Sequence, residues 1–174
     1  MAVVRSLANG HIKLQLLAAA PADPDAPTLA EVTAGIDLSC RIAKTPPYTL
    51  GPTTSDTVSD PPELCRDVNA TVYGGASNFE GQIAPFRYFD DETGQVDVTG
   101  DEVYQALKTK GVEIWLVERD SYKMSTDDWE AGDEVSVYRA LLDNPKKPSD
   151  RDGFIKRVID LAIQEGHLDV TLAA

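Results

Sequence analysis

Chemistry in this chain of 174 residues would have to come from its 29 carboxylates, two histidines and two cysteines. Paired carboxylates do acid–base work when one keeps its proton and the other loses it. Runs of them occur in Asp90-Asp91-Glu92 and in Asp127-Asp128 with Glu130. Both runs lie among turn-forming residues and read as solvated turns. Neither Asp90 to Asp101 nor Asp127 to Tyr138 keeps the oxygen-ligand spacing of a calcium loop. His11 and His167 stand far apart on apparent solvent faces, and no GxSxG elbow, HExxH, P-loop or GxGxxG is present. Cys40 and Cys65 have no CxxC spacing and no nearby histidine; they read as buried free thiols, with a disulfide between them as the alternative. Trp115 lies in an apolar run and belongs to a core, which leaves Trp129, in an acidic turn, as the candidate exposed anchor for a sugar. No catalytic residue, metal ligand or cofactor is assigned, and the expectation is a protein that is not an enzyme.

The charge balance excludes a further class. Lys and Arg number 16 against 29 acids, a net charge of −13. Tight nucleic-acid binding draws its affinity from cations that release the phosphates' counterions, and this chain is poor in them. The length suits a single domain spanning 1–174, with hydrophobic and charged fractions of 42% and 26% that are ordinary for a globular fold. Met1 to Arg5 lacks the apolar segment of a secretory signal, and the longest apolar run, Leu16 to Ala22, is too short to span a bilayer. Synthesis as a soluble cytoplasmic protein is expected.

The elements that would position these residues are mostly strands. Ile12, Leu14 and Leu16 alternate with Lys13 and Gln15; Ile36, Leu38, Cys40 and Ile42 alternate with Asp37, Ser39 and Arg41. Between them lies a proline-rich stretch, Pro21 to Pro27, and Thr28 with Glu31 forms a capping box for one helical turn. Val68 to Tyr73, Phe79 to Phe89, Val112 to Asp120 and Glu134 to Tyr138 read as strands. So does Leu168 to Leu172, behind a Glu165-Gly166 turn, whereas Phe154 to Gln164 suits helix or strand. Asp101 to Lys110 is the one strong helix, with Gly111 as its C′ residue. The fold class is mostly β, a sandwich or barrel with one flanking helix. From Lys44 to Cys65 the pattern dissolves: Thr45 to Leu64 holds five prolines and nine Ser, Thr or Asp. A loop of that length inside a compact domain points to disorder or to a partner.

Several phrases together resemble the major tail tube protein of long-tailed, non-contractile bacteriophages, especially those of actinobacteria. They are Gly35 to Cys40, Tyr48 to Val58, Pro62 to Cys65, Ser77 to Gly81, Pro85 to Phe89, and Ala131 to Val135 before Tyr138. The resemblance runs from about Leu29 to Thr171 and leaves 1–27 as an N-terminal arm outside it. It implies a tail-tube β-sandwich with one flanking helix, similar to the needle protein of type VI secretion systems. It also implies hexameric rings, whose strands join one continuous barrel, stacked into a tube around a tape-measure protein and later around double-stranded DNA in transit. Tail terminator and tail tip proteins are further implied partners, with the host cytoplasm as the place of assembly and the virion tail as the destination. The loop 44–65 falls where the family carries an inter-ring loop, and Tyr48, Leu50, Val58 and Leu64 are its expected docking residues. If the non-core strand faces line the channel, Asp37, Ser39 and Arg41 and, on the later strand, Glu80 and Gln82 face the lumen. Two rival readings are an immunoglobulin-like binding module, which needs exposed aromatics such as Trp129 or Tyr122, and a hydrolase using two acids in a cleft. A tail terminator or a type VI needle protein would share the tube fold.

Overall fold

In the computed structural model, residues 10–44, 48–59, 71–74, 78–149 and 152–174 are described. A seven-stranded antiparallel sheet organises them, in the order β2-β1-β7-β8-β9-β6-β3. Its strands are β1 (Ile12–Leu16), β2 (Ile36–Asp37), β3 (Thr49–Pro52), β6 (Phe79–Ile83), β7 (Glu113–Asp120), β8 (Glu134–Leu142) and β9 (Ile159–Thr171). Strands β4 (Thr57–Ser59) and β5 (Thr71–Tyr73) pair with each other as a separate ribbon. The protein is mostly β, as expected, but two short helices accompany the sheet: α1 (Leu29–Thr33) and α2 (Glu102–Leu107).

Alternation along the central strands sends apolar side chains to both faces. Ile114 and Leu116 of β7 join Tyr138, Ala140 and Leu142 of β8 on one face, under Val103 and Leu107 of α2. Trp115 and Val117 join Val135 and Val137 on the other, under Val32 of α1 and Trp129. This two-sided burial explains the unbroken run Ile114 to Val117, since a strand covered on both faces has no polar alternate. Ala43 N donates to Ala84 O (2.9 Å) and Phe86 N to Arg41 O (3.0 Å), which ties the segment continuing from the edge strand β2 to the one continuing from β6.

The expected capping box is present: Thr28 Oγ1 accepts from Glu31 N (3.3 Å), and Glu31 Oε2 accepts from Thr28 N (2.8 Å). The bond from Thr28 N, with one from Ala22 N and one from Thr28 Oγ1 (2.8 Å), holds the Glu31 carboxyl below its ordinary range.

Several expectations are corrected. The run Ile36 to Ile42 is a strand only over Ile36–Asp37, followed by a turn at Ser39 to Arg41. Asp37 Oδ1 accepts from Ser39 N (2.8 Å), and Ser39 Oγ accepts from Leu14 N (3.0 Å), so side chains replace the ladder there. Part of the loop 44–65 belongs to the sheet: β3 pairs with β6, placing Leu50 opposite Gly81. The expected helix ends at Leu107, and Gly111, at φ +80°, lies three residues past the Lys108 C-cap. The expected turn at Glu165-Gly166 is instead the middle of β9, a single strand of 13 residues with two register shifts against β8. A Cβ on Gly166 would stand 2.6 Å from Phe79 Cε1, so this glycine serves close packing.

Candidate assembly and channel surfaces

Loop 121–133 shows how the acidic segment is shaped. Arg119 is fully buried; its Nη1 donates to Asp133 Oδ2 (2.8 Å) and Asp128 O (2.9 Å), and its Nη2 to Met124 O (2.9 Å). Burial alone would raise the Asp133 carboxyl, but hydrogen bonds from Lys123, Glu130 N and Arg119 outweigh it and hold it below its ordinary value. The loop lays Trp129 over the sheet, 8% exposed, with its indole near the Arg119 guanidinium and the Lys13 ammonium. Trp129 is therefore not an exposed anchor. Lys13 and Gln15, the polar alternates of β1, are buried beneath the same loop, where Lys13 Nζ donates to Asp127 O (2.7 Å). Asp127, Asp128 and Glu130 themselves face water.

The expected lumen residues separate into two groups. Register pairs Asp37 with Gln15, Gln15 with Val117, and Gln82 with Asp160, which places Asp37, Glu80 and Gln82 on the sheet face opposite Leu116 and Leu161. On that face Glu80 is exposed, and Gln82 donates to Asp160, which is also paired with Lys146. Together with the exposed Ala162, these residues make the β6–β9 side of the face polar and open. Ser39 and Arg41 lie in the turn; Arg41 Nη1 meets Glu102 Oε1 at 2.6 Å.

The expected docking residues also divide. Tyr48 and Leu50 pack against the protein's own core, and Tyr48 Oη donates to Glu118 Oε1 (2.5 Å). Burial raises the Glu118 carboxyl above its ordinary value, with the Asp120 charge adding and the Tyr48 hydrogen bond opposing; burial likewise raises Tyr48. Val58, by contrast, points outward on the β4–β5 ribbon with Val72 and Tyr73. Leu64 lies outside the described residues.

Cys40 is a free thiol and is exposed, not buried, because the turn at Ser39 to Arg41 carries it outward; Cys65 lies outside the described residues. Both histidines are half-buried. His11 Nδ1 is 3.1 Å from Lys123 O, while His167 sits between Asp25 Oδ1 (2.6 Å) and Glu165 Oε1 (3.0 Å). Sequence reasoning missed this last cluster because Asp25 and His167 are 142 positions apart. Among the described residues, no group of three His, Cys, Asp or Glu is placed to hold a metal ion. No helix among them is long and apolar enough to cross a membrane.

A sheet edge at β3, an outward apolar ribbon and an open polar sheet face define a β protein whose prominent surfaces suit contact with other chains. The chain belongs to the phage tail tube protein family, whose model matches residues 1–174. It is thus a structural component of a phage tail, and its family implies self-assembly into a tube. A search of curated proteins finds no match to the chain.

Proposed function

We propose that this protein forms hexameric rings that stack into the tail tube, and that the genome passes through the tube into the host. The observation that carries the reading is the family match along the whole chain. In the assembled tube each tail-tube sandwich contributes strands to one continuous barrel, which removes the open sheet edges that would otherwise invite aggregation. The tape-measure protein occupies the tube before the DNA, and terminator and tip proteins close its ends. Assembly takes place in the host cytoplasm, and no catalysis is involved.

The acidic balance supports a conduit. Cations along the lumen would hold phosphates, whereas Glu80 and Gln82, and Asp37 on the same sheet face, would let the duplex slide. Docking by the 44–65 loop falls to its outward part, because Tyr48 and Leu50 are engaged within the subunit. Replacing residues 54–77 with a short Gly-Ser link keeps β3 paired with β6, since Thr53 N already donates to Asn78 O (2.8 Å). The shortened protein is expected to fold and to form no tubes in negative-stain micrographs. Long tubes from it would show that docking does not use the ribbon, and rings of another order in the virion would overturn the hexamer.

A further inference from the structure

We propose that the β4–β5 ribbon of one copy docks head-to-tail on residues 146–149 and 152–157 of the next. This rests on the tube reading above and assigns the receiving surface within it. Two outward apolar tips occupy opposite ends of β6. At its Phe79 end the chain continues into the ribbon, where Val58, Val72 and Tyr73 are exposed. At its Ile83 end, Ile83 pairs with Ile159, Phe86 bridges to Lys156, and Arg87 N donates to Ile155 O (2.8 Å). There Phe154 rests edge-on against Phe86 and is 82% exposed, with Ile155 exposed beside it. The five residues of β6 keep the tips apart by roughly 13 Å of strand.

Charge names the occupant. Residues 54–77, which hold the ribbon, carry Asp56, Asp60, Glu63 and Asp67 against Arg66, a net of 1 − 4 = −3. The described residues of this stretch, 146–149 and 152–157, carry Lys146, Lys147, Lys156 and Arg157 against Asp152, a net of 4 − 1 = +3 in a chain of net −13. Lys146 pairs with Asp160, while no ion pair among the described residues engages Lys147, Lys156 or Arg157. Copies this acidic repel one another, so an attractive contact needs the chain's basic segment facing an acidic one, and the ribbon of a second copy supplies it. Because the two surfaces differ and lie apart, the contact is heterologous and propagates from copy to copy, as a tube requires.

Mixing two variants tests this. Tyr73→Asp spoils the ribbon and Phe154→Asp the receiving segment; both side chains are largely exposed, at 77% and 82%, and circular dichroism checks the fold. Should Phe154→Asp fail to fold, Lys156→Glu takes its place. Each variant alone is expected to stop at a small assembly of fixed mass. A one-to-one mixture should give a species of twice that mass and no larger, since only one intact ribbon can meet one intact segment. Light scattering after size exclusion reads both masses. Tubes of normal length from either variant, or a mixture no heavier than its components, overturn the inference while tubes from the unaltered protein leave the function standing. An unaltered protein that builds no tube in the virion overturns both.

Discussion

Tyr48 and Glu118 form a half-buried polar pair in which each meets the other in place of water. Tyr48→Phe removes the donor and leaves a half-buried carboxylate short of a partner, a loss of about 1–3 kcal/mol. Glu118 titrates above its ordinary value of 4.5 in the fold, so the penalty is largest at neutral pH and shrinks as the carboxyl protonates on acidification. Urea midpoints at neutral and mildly acidic pH check this: a penalty independent of pH would detach it from the Glu118 charge, and no penalty at either pH would show that the hydrogen bond is unimportant. His167 works in the opposite sense. Burial pulls its imidazole down, but hydrogen bonds to Asp25 and Glu165 and their charges outweigh it, so it titrates above 6.5. Glu165 also faces Arg139 at 3.5 Å, and Val137 lies opposite His167 across the ladder. A raised histidine stabilises the fold fully below its unfolded value, and that stability is lost as pH rises through the folded one. Melting temperature should therefore fall between about pH 6 and about pH 8 more in the parent than in His167→Gln. Equal slopes would detach the histidine from folding.

At the scale of elements, Gly166 offers a direct test of packing. Gly166→Ala puts a methyl group into the Phe79 ring, whose nearest atom is 2.6 Å from the ideal Cβ position. A destabilisation of about 1–3 kcal/mol is expected from such overpacking. Phe79→Leu in the same chain should recover part of it, as a double-mutant cycle of unfolding free energies would show; additive losses would mean that the two residues act separately. The same glycine shows where the elements were legible and where they were not. Strands β7 and β8 could be read from sequence because unbroken or alternating apolar runs announce burial, and α1 because Thr28 and Glu31 cap it within three residues. Glu165-Gly166 read as a turn because the reason for the glycine, Phe79, is distant in sequence. The run Ile36 to Ile42 alternated convincingly, yet the side chains of Asp37 and Ser39 bend it after two residues. Strand β3 was hidden by its prolines and threonines because its ladder depends on β6. Trp129 was misplaced because Arg119, ten positions earlier, draws the acidic loop over the sheet. Of the candidate site, the proposed contact role of the loop rests on its composition, whereas the proposed receiving segment needed the fold to set Phe154 at the far end of β6.

At the scale of the whole molecule, the decisive question is which surface the DNA meets. Register puts Asp37, Glu80 and Gln82 on one sheet face, but they differ as probes. Asp37 Oδ2 lies 4.0 Å from Lys13 Nζ, so a lysine there would disturb a neighbouring cation. Glu80 is exposed and opposite Gly51, and Glu80→Lys reverses a charge without crowding a core residue. If this face lines the channel, the variant assembles tubes of normal length and places a ring of cations at every repeat. Each phosphate contact adds to the salt dependence of binding with a slope of about −0.9 per charge, so several contacts per ring slow the DNA by orders of magnitude at low salt. Ejection timed on virions carrying Glu80→Lys should thus be slow at low ionic strength and recover as salt is added, whereas Glu80→Gln should eject normally at both. Normal ejection of the lysine variant at low salt would place Glu80 on the outside of the tube and make the opposite flank of the sheet the channel wall.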